Sequence, residues 1–251
     1  RRDLNRCFPG MKEGSVASRI ASTIFTEIVR RSDYGIDLHT AAIRRTNFPN
    51  VRADMTDPKV ASFARAFGAE LIVSGRGPRG SLRRAACAAG CPTIILEAGE
   101  VWKVERFVVE YAARGIRNCL AHLNMIEGEP EQPPYRVETD RTKWVRARHG
   151  GFLHFRVGPG DILEEGQVIA TNTSLTGQEQ GEVISPRDGI VLGMTTLPSV
   201  SPGDPVCHLA FPSEGTLEHI ERAVEQLSND SLHERMRSDL SHGVVGEGGR
   251  D

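Results

Sequence analysis

Long apolar runs and lysine are both scarce in this sequence, and each shortage excludes something. No stretch of eighteen apolar residues occurs, so no segment reads as a membrane-spanning helix. Lysine appears only as Lys12, Lys59, Lys103 and Lys143 among 31 basic residues, and the formal net charge is -2. That balance lacks the basic footprint of a nucleic-acid binder. The five cysteines are odd in number and follow neither a disulfide framework nor a zinc knuckle, which fits a reducing cytoplasm. The 251 residues are 39% hydrophobic and 25% charged, enough for a core in one large or two modest domains.

Two patterns succeed one another along the chain. Val16, Ile20, Ile24 and Ile28 recur every four residues and predict a helix over 15–31 with that stripe inward. Tyr34–Leu38 reads as a strand. Asp57-Pro58 is an N-cap followed by a first-turn proline, opening a helix to about Phe67. Strands are predicted at Leu71–Ser74 and Thr93–Glu97. Between them lie a glycine-rich loop, Gly75–Gly80, and a helix over Ser81–Ala89. A longer helix is expected from about Val104 to Met125. Strands alternating with helices predict an α/β layer architecture.

Beyond the proline-rich connector after Gly128 the helical period stops. Short strands separated by Gly-, Pro- and Asp-containing turns predict a small all-β barrel or sandwich. Val157-Gly158-Pro159-Gly160-Asp161-Ile162 is echoed by Val200-Ser201-Pro202-Gly203-Asp204-Pro205, which suggests two quasi-equivalent sheet layers. The expected organisation is an α/β domain over 1–128, an all-β domain over 135–213, and a closing helix with a frayed polar tail over 214–251. The helix is marked by Leu217, Ile220, Val224 and Leu227.

Polar groups collect where such a fold places its chemistry. His39 and Glu97 each follow an apolar strand, and in open α/β sheets ligands gather at the carboxyl ends of strands. His39 can bind zinc or be a satisfied strand-end histidine. Glu97 can be a general base and then acid, or a salt-bridged rim residue. Asp3, Asn5 and Arg6 form either a fork for an acidic substrate or a capped turn. Arg83 and Arg84 open a helix, where an anion is favoured, or line its solvated face. Arg44, Arg45 and Arg52 fall in the loop expected after His39 and carry a weaker form of the same argument.

Asp3-Leu4-Asn5-Arg6-Cys7-Phe8-Pro9-Gly10, Asp37-Leu38-His39-Thr40 and Leu96-Glu97-Ala98-Gly99 resemble, in order and spacing, successive motifs of the succinylglutamate desuccinylase and aspartoacylase family. The resemblance covers roughly residues 1–210 and implies a carboxypeptidase-like mixed sheet flanked by helices, followed by a small all-β barrel-sandwich domain. It implies a zinc-dependent deacylase that cleaves the amide bond of a small acidic N-acyl amino acid. By resemblance His39 is a Zn(2+) ligand and Glu97 the catalytic glutamate, and Asp3, Asn5, Arg6 and Arg83 bind substrate. The family's zinc site also uses a His-x-x-Glu motif and a further arginine upstream of Asp-Leu-Asn-Arg, and no His-x-x-Glu occurs in this sequence. Asp3–Gly10 reads like the interior of a domain, so a preceding N-terminal piece is expected. A non-catalytic binding relative and a carboxypeptidase are the alternatives.

The β half also resembles biotinyl and lipoyl carrier barrels at Gly158–Gln167 and Ser185–Val191. Carriers need a lysine at a hairpin tip, and none follows Lys143. Carrier function is excluded, which leaves a lid, a substrate-access wall or a homo-oligomer contact.

Overall fold

The computed structural model describes residues 3–213 and 215–217. The closing helix expected through Leu227 and the tail after Asn229 lie outside the described residues, apart from Leu217. Two compact units are present. The first comprises the residues up to Thr40, Pro49–Ala98 and Tyr111–Asp140. The second comprises Ala41–Phe48, Gly99–Glu110 and the chain from Arg141.

The first unit is an α/β layer. It holds α1 (Val16–Glu27), β1 (Gly35–His39), β2 (Arg45–Ala53) from Pro49 on, α2 (Pro58–Ala66), β3 (Leu71–Ser74), α3 (Leu82–Ala88), β4 (Thr93–Glu100) up to Ala98, α4 (Arg106–His122) from Tyr111 on, and β5 (Val137–Thr139). The strands follow one another β1-β4-β2-β3-β5. The pairs β1/β4, β2/β3 and β3/β5 are parallel. Helix starts obey the expected chemistry. The Asp57 carboxylate accepts from the amides of Lys59 and Val60 at 2.9 and 3.3 Å, and Pro58 occupies the first turn. Ser15 and Ser81 cap α1 and α3 in the same way. The proline-rich connector is pinned by buried Asn118, which bonds both the amide and the carbonyl of Glu131.

Two sequence expectations are corrected. Helix α1 does not bury the Val16, Ile20, Ile24, Ile28 stripe. It buries Ser18, Ala21 and Phe25, while Val16 and Ile28 are 72% and 60% exposed. The reason is the close approach of the chain before it. The Met11 amide donates to Ser18 Oγ at 3.1 Å, and a Cβ on Gly10 would lie 2.3 Å from the Ser18 carbonyl oxygen. Only small side chains on that face admit such a contact, and Phe8, Phe25, Val29, Ala86 and Cys91 pack around it.

The second correction is β2, a nine-residue strand where a loop was expected. Pro49 and its polar neighbours disguise it, because proline is rare inside strands. In the first unit Val51–Ala53 pair with Ile72–Ser74. In the second unit Arg45–Asn47 pair antiparallel with Gly193–Thr195. Pro49 falls in neither run.

The second unit adds β6 (Thr142–Arg146), β7 (Gly151–Phe155), β8 (Ile162–Leu163), β9 (Val168–Thr173), β10 (Glu179–Ile184), β11 (Gly189–Thr195), β12 (Ser199–Val200) and β13 (Pro205–Ala210). One sheet runs β10-β9-β7-β12, and β11 pairs antiparallel with both β13 and β8. Leu153, Ile169 and Val183 from the first of these meet Leu163, Val191 and Leu209 from the second in one core. This is the sandwich expected from the turn pattern.

The echoed motif folds into two matching turns. The Asp161 and Asp204 amides donate to the carbonyls of Gly158 and Ser201, three residues back. Each aspartate side chain in turn accepts from the amide of Gly158 or Ser201 at 2.8 Å. Gly160 and Gly203 sit at φ 90° and 89°, after a proline, as a type II turn requires.

Candidate functional site

Strands β1 and β4 run parallel with His39 opposite Glu97 in register, so both lie at the carboxyl-terminal end of their pair. Asp37, two residues before His39 and therefore on the same face, brings a carboxylate oxygen 3.0 Å from His39 Nε2. This hydrogen bond, with the charges of Asp37 and Glu97, raises the imidazole above its ordinary range, against burial and the Arg52 charge. It also holds the ring in place, as carboxylate partners do for ligand histidines.

Glu97 is largely buried, with 16% of its side chain exposed, and one carboxylate oxygen lies 3.8 Å from Arg52 Nε. Asn50, with no exposed surface, donates from Nδ2 to the Glu97 carbonyl at 3.4 Å and accepts from Arg52 Nε at 3.4 Å. Arg52 was expected in a loop. It is instead a strand residue beside the carboxylate. The two-residue spacing of Asn50 and Arg52 is a strand signal that Pro49 obscured.

Arg83, near the start of α3, is 6% exposed, and its Nε and Nη1 meet no hydrogen-bond acceptor among the described residues. Burial pushes its guanidinium below the ordinary value, Arg52 pushes the same way, and Asp54 and Glu97 pull it back. The glycine-rich loop makes room for it. Gly77 sits at φ 77°, and a Cβ there would lie 2.9 Å from Arg83 Nη2. Arg84 is spent locally, donating to the Gly77 carbonyl at 3.2 Å.

The Asp3–Gly10 segment docks on the same loop and helix. The Phe8 amide donates to the Gly80 carbonyl at 2.9 Å, and Asn5 Oδ1 accepts from the Leu82 amide at 2.8 Å. Asn5 therefore spends its oxygen on the helix that carries Arg83 and retains its amide nitrogen for other partners. Asp3 caps the turn over Leu4–Arg6 and lies 3.7 Å from Arg6, whose guanidinium is half exposed. Asp3, Arg6, Cys7, Pro9 and Met11 line a groove there. So Glu97 and Arg52 each act on both His39 and Arg83, and Asn5 ties the Asp3–Arg6 turn to the helix of Arg83.

A catalytic zinc takes about three protein ligands and keeps one open position. Among the described residues no group of three His, Cys, Asp or Glu side chains could hold a metal ion. His39 is a single candidate ligand, so the described residues do not by themselves fit zinc. Among those residues no helix is long and apolar enough to cross a membrane.

A parallel α/β sheet with its polar cluster at the strand ends is the class of protein this geometry defines. Solved structures share the fold. The succinylglutamate desuccinylase/aspartoacylase from Rhodobacter sphaeroides matches with a TM-score of 0.74 at 24% identity, over 84% of this chain and 68% of its own. The apo form of the ectoine utilization protein EutE (DoeB) from Ruegeria pomeroyi matches at 0.75 and 22% identity, over 83% and 69%.

In sequence, residues 1–123 match the succinylglutamate desuccinylase/aspartoacylase catalytic domain. That match places residues 1–123 in the succinylglutamate desuccinylase/aspartoacylase family. The chain is also 28% identical over 221 residues to the N-alpha-acetyl-L-2,4-diaminobutyric acid deacetylase of Halomonas elongata. That similarity covers 83% of this chain and 65% of the relative, so the chain spans about two thirds of that protein's length.

Proposed function

We propose that this chain carries the amide-cleaving half of a deacylase acting on a small acidic N-acyl amino acid. The observation that supports this best is the β1/β4 register, which sets His39 and Glu97 side by side at one strand end. Glu97 takes a proton from the attacking water and passes it to the leaving amine, a role worth about 10²–10⁴ in rate. Arg83 binds the substrate carboxylate, to which its buried nitrogens, unmatched among the described residues, offer hydrogen bonds. Arg6, with Asp3 beside it and the Asn5 amide nitrogen, forms the outer part of the carboxylate site.

Zinc is the cofactor in this reading, on the strength of the family resemblance. His39 is the ligand that this resemblance assigns. The five free thiols agree with a cytoplasmic place of work.

The test is hydrolysis of N-acetyl and N-succinyl amino acids by the zinc-supplemented protein and by Glu97→Gln. Wild-type turnover with a loss of about 10²-fold or more in the variant is expected, at unchanged zinc content. Equal turnover by the variant overturns the role of Glu97. Binding of acyl amino acids without turnover points to a non-catalytic relative, and preference for peptide ends points to a carboxypeptidase.

A further inference from the structure

Arg52 is the charged side chain whose place near Glu97 only the folded chain reveals. From the geometry around it we infer that Arg52 is a positioning residue, holding the Glu97 carboxylate in one orientation through a buried brace built on Asn50. The inference rests on the reading of Glu97 as the general base.

Asn50 and Arg52 lie two apart on β2, so they face the same side of the strand. Asn50 is completely buried, and its amide works in two directions at once. Its nitrogen donates to the Glu97 main-chain carbonyl at 3.4 Å, and its oxygen accepts from Arg52 Nε at 3.4 Å. One immobile group thus places both the backbone that carries the carboxylate and the cation beside it. The ion pair, with Arg52 Nε 3.8 Å from a Glu97 oxygen, closes the triangle.

A glutamate has three rotatable side-chain bonds, and proton transfer needs one orientation of its carboxylate. Misplacement of about 1 Å costs about 10²-fold in rate. A guanidinium is suited to this brace because its several donors lie in one plane. Nε reaches Asn50 and still lies beside Glu97. A lysine keeps the charge but carries it on a flexible stem, without the rigid planar group that fixes Nε between its two partners. Arg52 lies within the electrostatic reach of His39 and Arg83 as well, so it stands among the groups of the site rather than on a remote surface.

The experiment compares wild type, Arg52→Met and Arg52→Lys in kcat, KM and thermal stability, together with crystal structures of the three proteins. Arg52→Met is expected to lower kcat by about 10²-fold with KM within about twofold, and Arg52→Lys to recover about tenfold of that loss. In the Arg52→Met crystal the Glu97 carboxylate is expected to leave its place or split between rotamers, and in Arg52→Lys to stay. A merely structural ion pair would lower the melting temperature while leaving kcat and the Glu97 rotamer unchanged, which overturns the inference. A rise in KM at constant kcat makes Arg52 a substrate contact and overturns it too. If Arg52→Met fails to fold, Arg52→Lys decides. Wild-type kcat in Arg52→Lys then overturns the inference, and a partial kcat loss at constant KM supports it. Absence of turnover in the wild type itself overturns the proposed function, while the rotamer of Glu97 still decides the positioning role.

Discussion

Burying a guanidinium without acceptors is costly, and Arg83 bears that cost with two of its nitrogens. Exchange of such a group for an apolar one of similar length relieves the penalty. Arg83→Met is therefore expected to melt no lower than wild type. The same change is expected to raise KM for an N-acyl amino acid by ten- to a hundredfold, about 1.4–3 kcal/mol of lost carboxylate binding. A clear fall in melting temperature with unchanged KM would assign Arg83 a structural role instead. His39, Glu97 and Arg83 were all visible in the sequence, because each stands at a boundary that periodicity and turn residues mark. Arg52 was visible only as one of several arginines in an expected loop, since nothing local reveals which carboxylate a strand residue will face.

Helix and strand chemistry accounts for a second tier of behaviour. Asp57 satisfies two first-turn amides of α2, and Asp57→Ala is expected to cost about 1 kcal/mol by urea denaturation. Gly115 lies inside α4, where alanine is ordinarily the better helix former. A Cβ at Gly115 would, however, lie 2.1 Å from the buried ring of Phe67. Gly115→Ala is expected to destabilise by about 1–3 kcal/mol, the cost of overpacking, and a stabilised variant would show that Phe67 moves freely. The same competition explains α1. Its aliphatic stripe announces a helix correctly, yet the face that turns inward is decided by how closely Gly10 approaches Ser18 and Ala21. Periodicity reports that a face exists, and contact distance chooses between faces of similar apolarity.

At the scale of the whole chain, pH acts through pairs that join distant segments. Arg65 on α2 grips Glu138 on β5 with two hydrogen bonds of 2.7 and 2.8 Å. That bond holds the Glu138 carboxyl below its ordinary value, against partial burial. A folded-state value below the unfolded one means the pair stabilises above the ordinary carboxylate range and loses its effect as pH falls through the lower value. Both side chains are partly exposed, so the contribution is about 0.5–1 kcal/mol. Arg65→Gln is expected to lose that amount at about pH 7 and to converge with wild type as pH falls below the lowered Glu138 value, read from denaturation midpoints. A gap that persists in acid would mean that Arg65 contributes packing rather than charge.

Much of the architecture follows from the chain itself. The strand Leu71–Ser74, the caps at Asp57 and Ser81, and the paired Pro-Gly-Asp turns of the second unit are local events, governed by backbone preference and by hydrogen bonds spanning two or three residues. The order of motifs likewise carried the family and the α/β-then-β layout. Tertiary structure alone decided the buried face of α1, the strand that contains Pro49, and the brace from Asn50 to Arg52 and Glu97. The brace joins Asn50 to Glu97 across 47 positions of chain, and a contact of that range leaves no local periodicity to read.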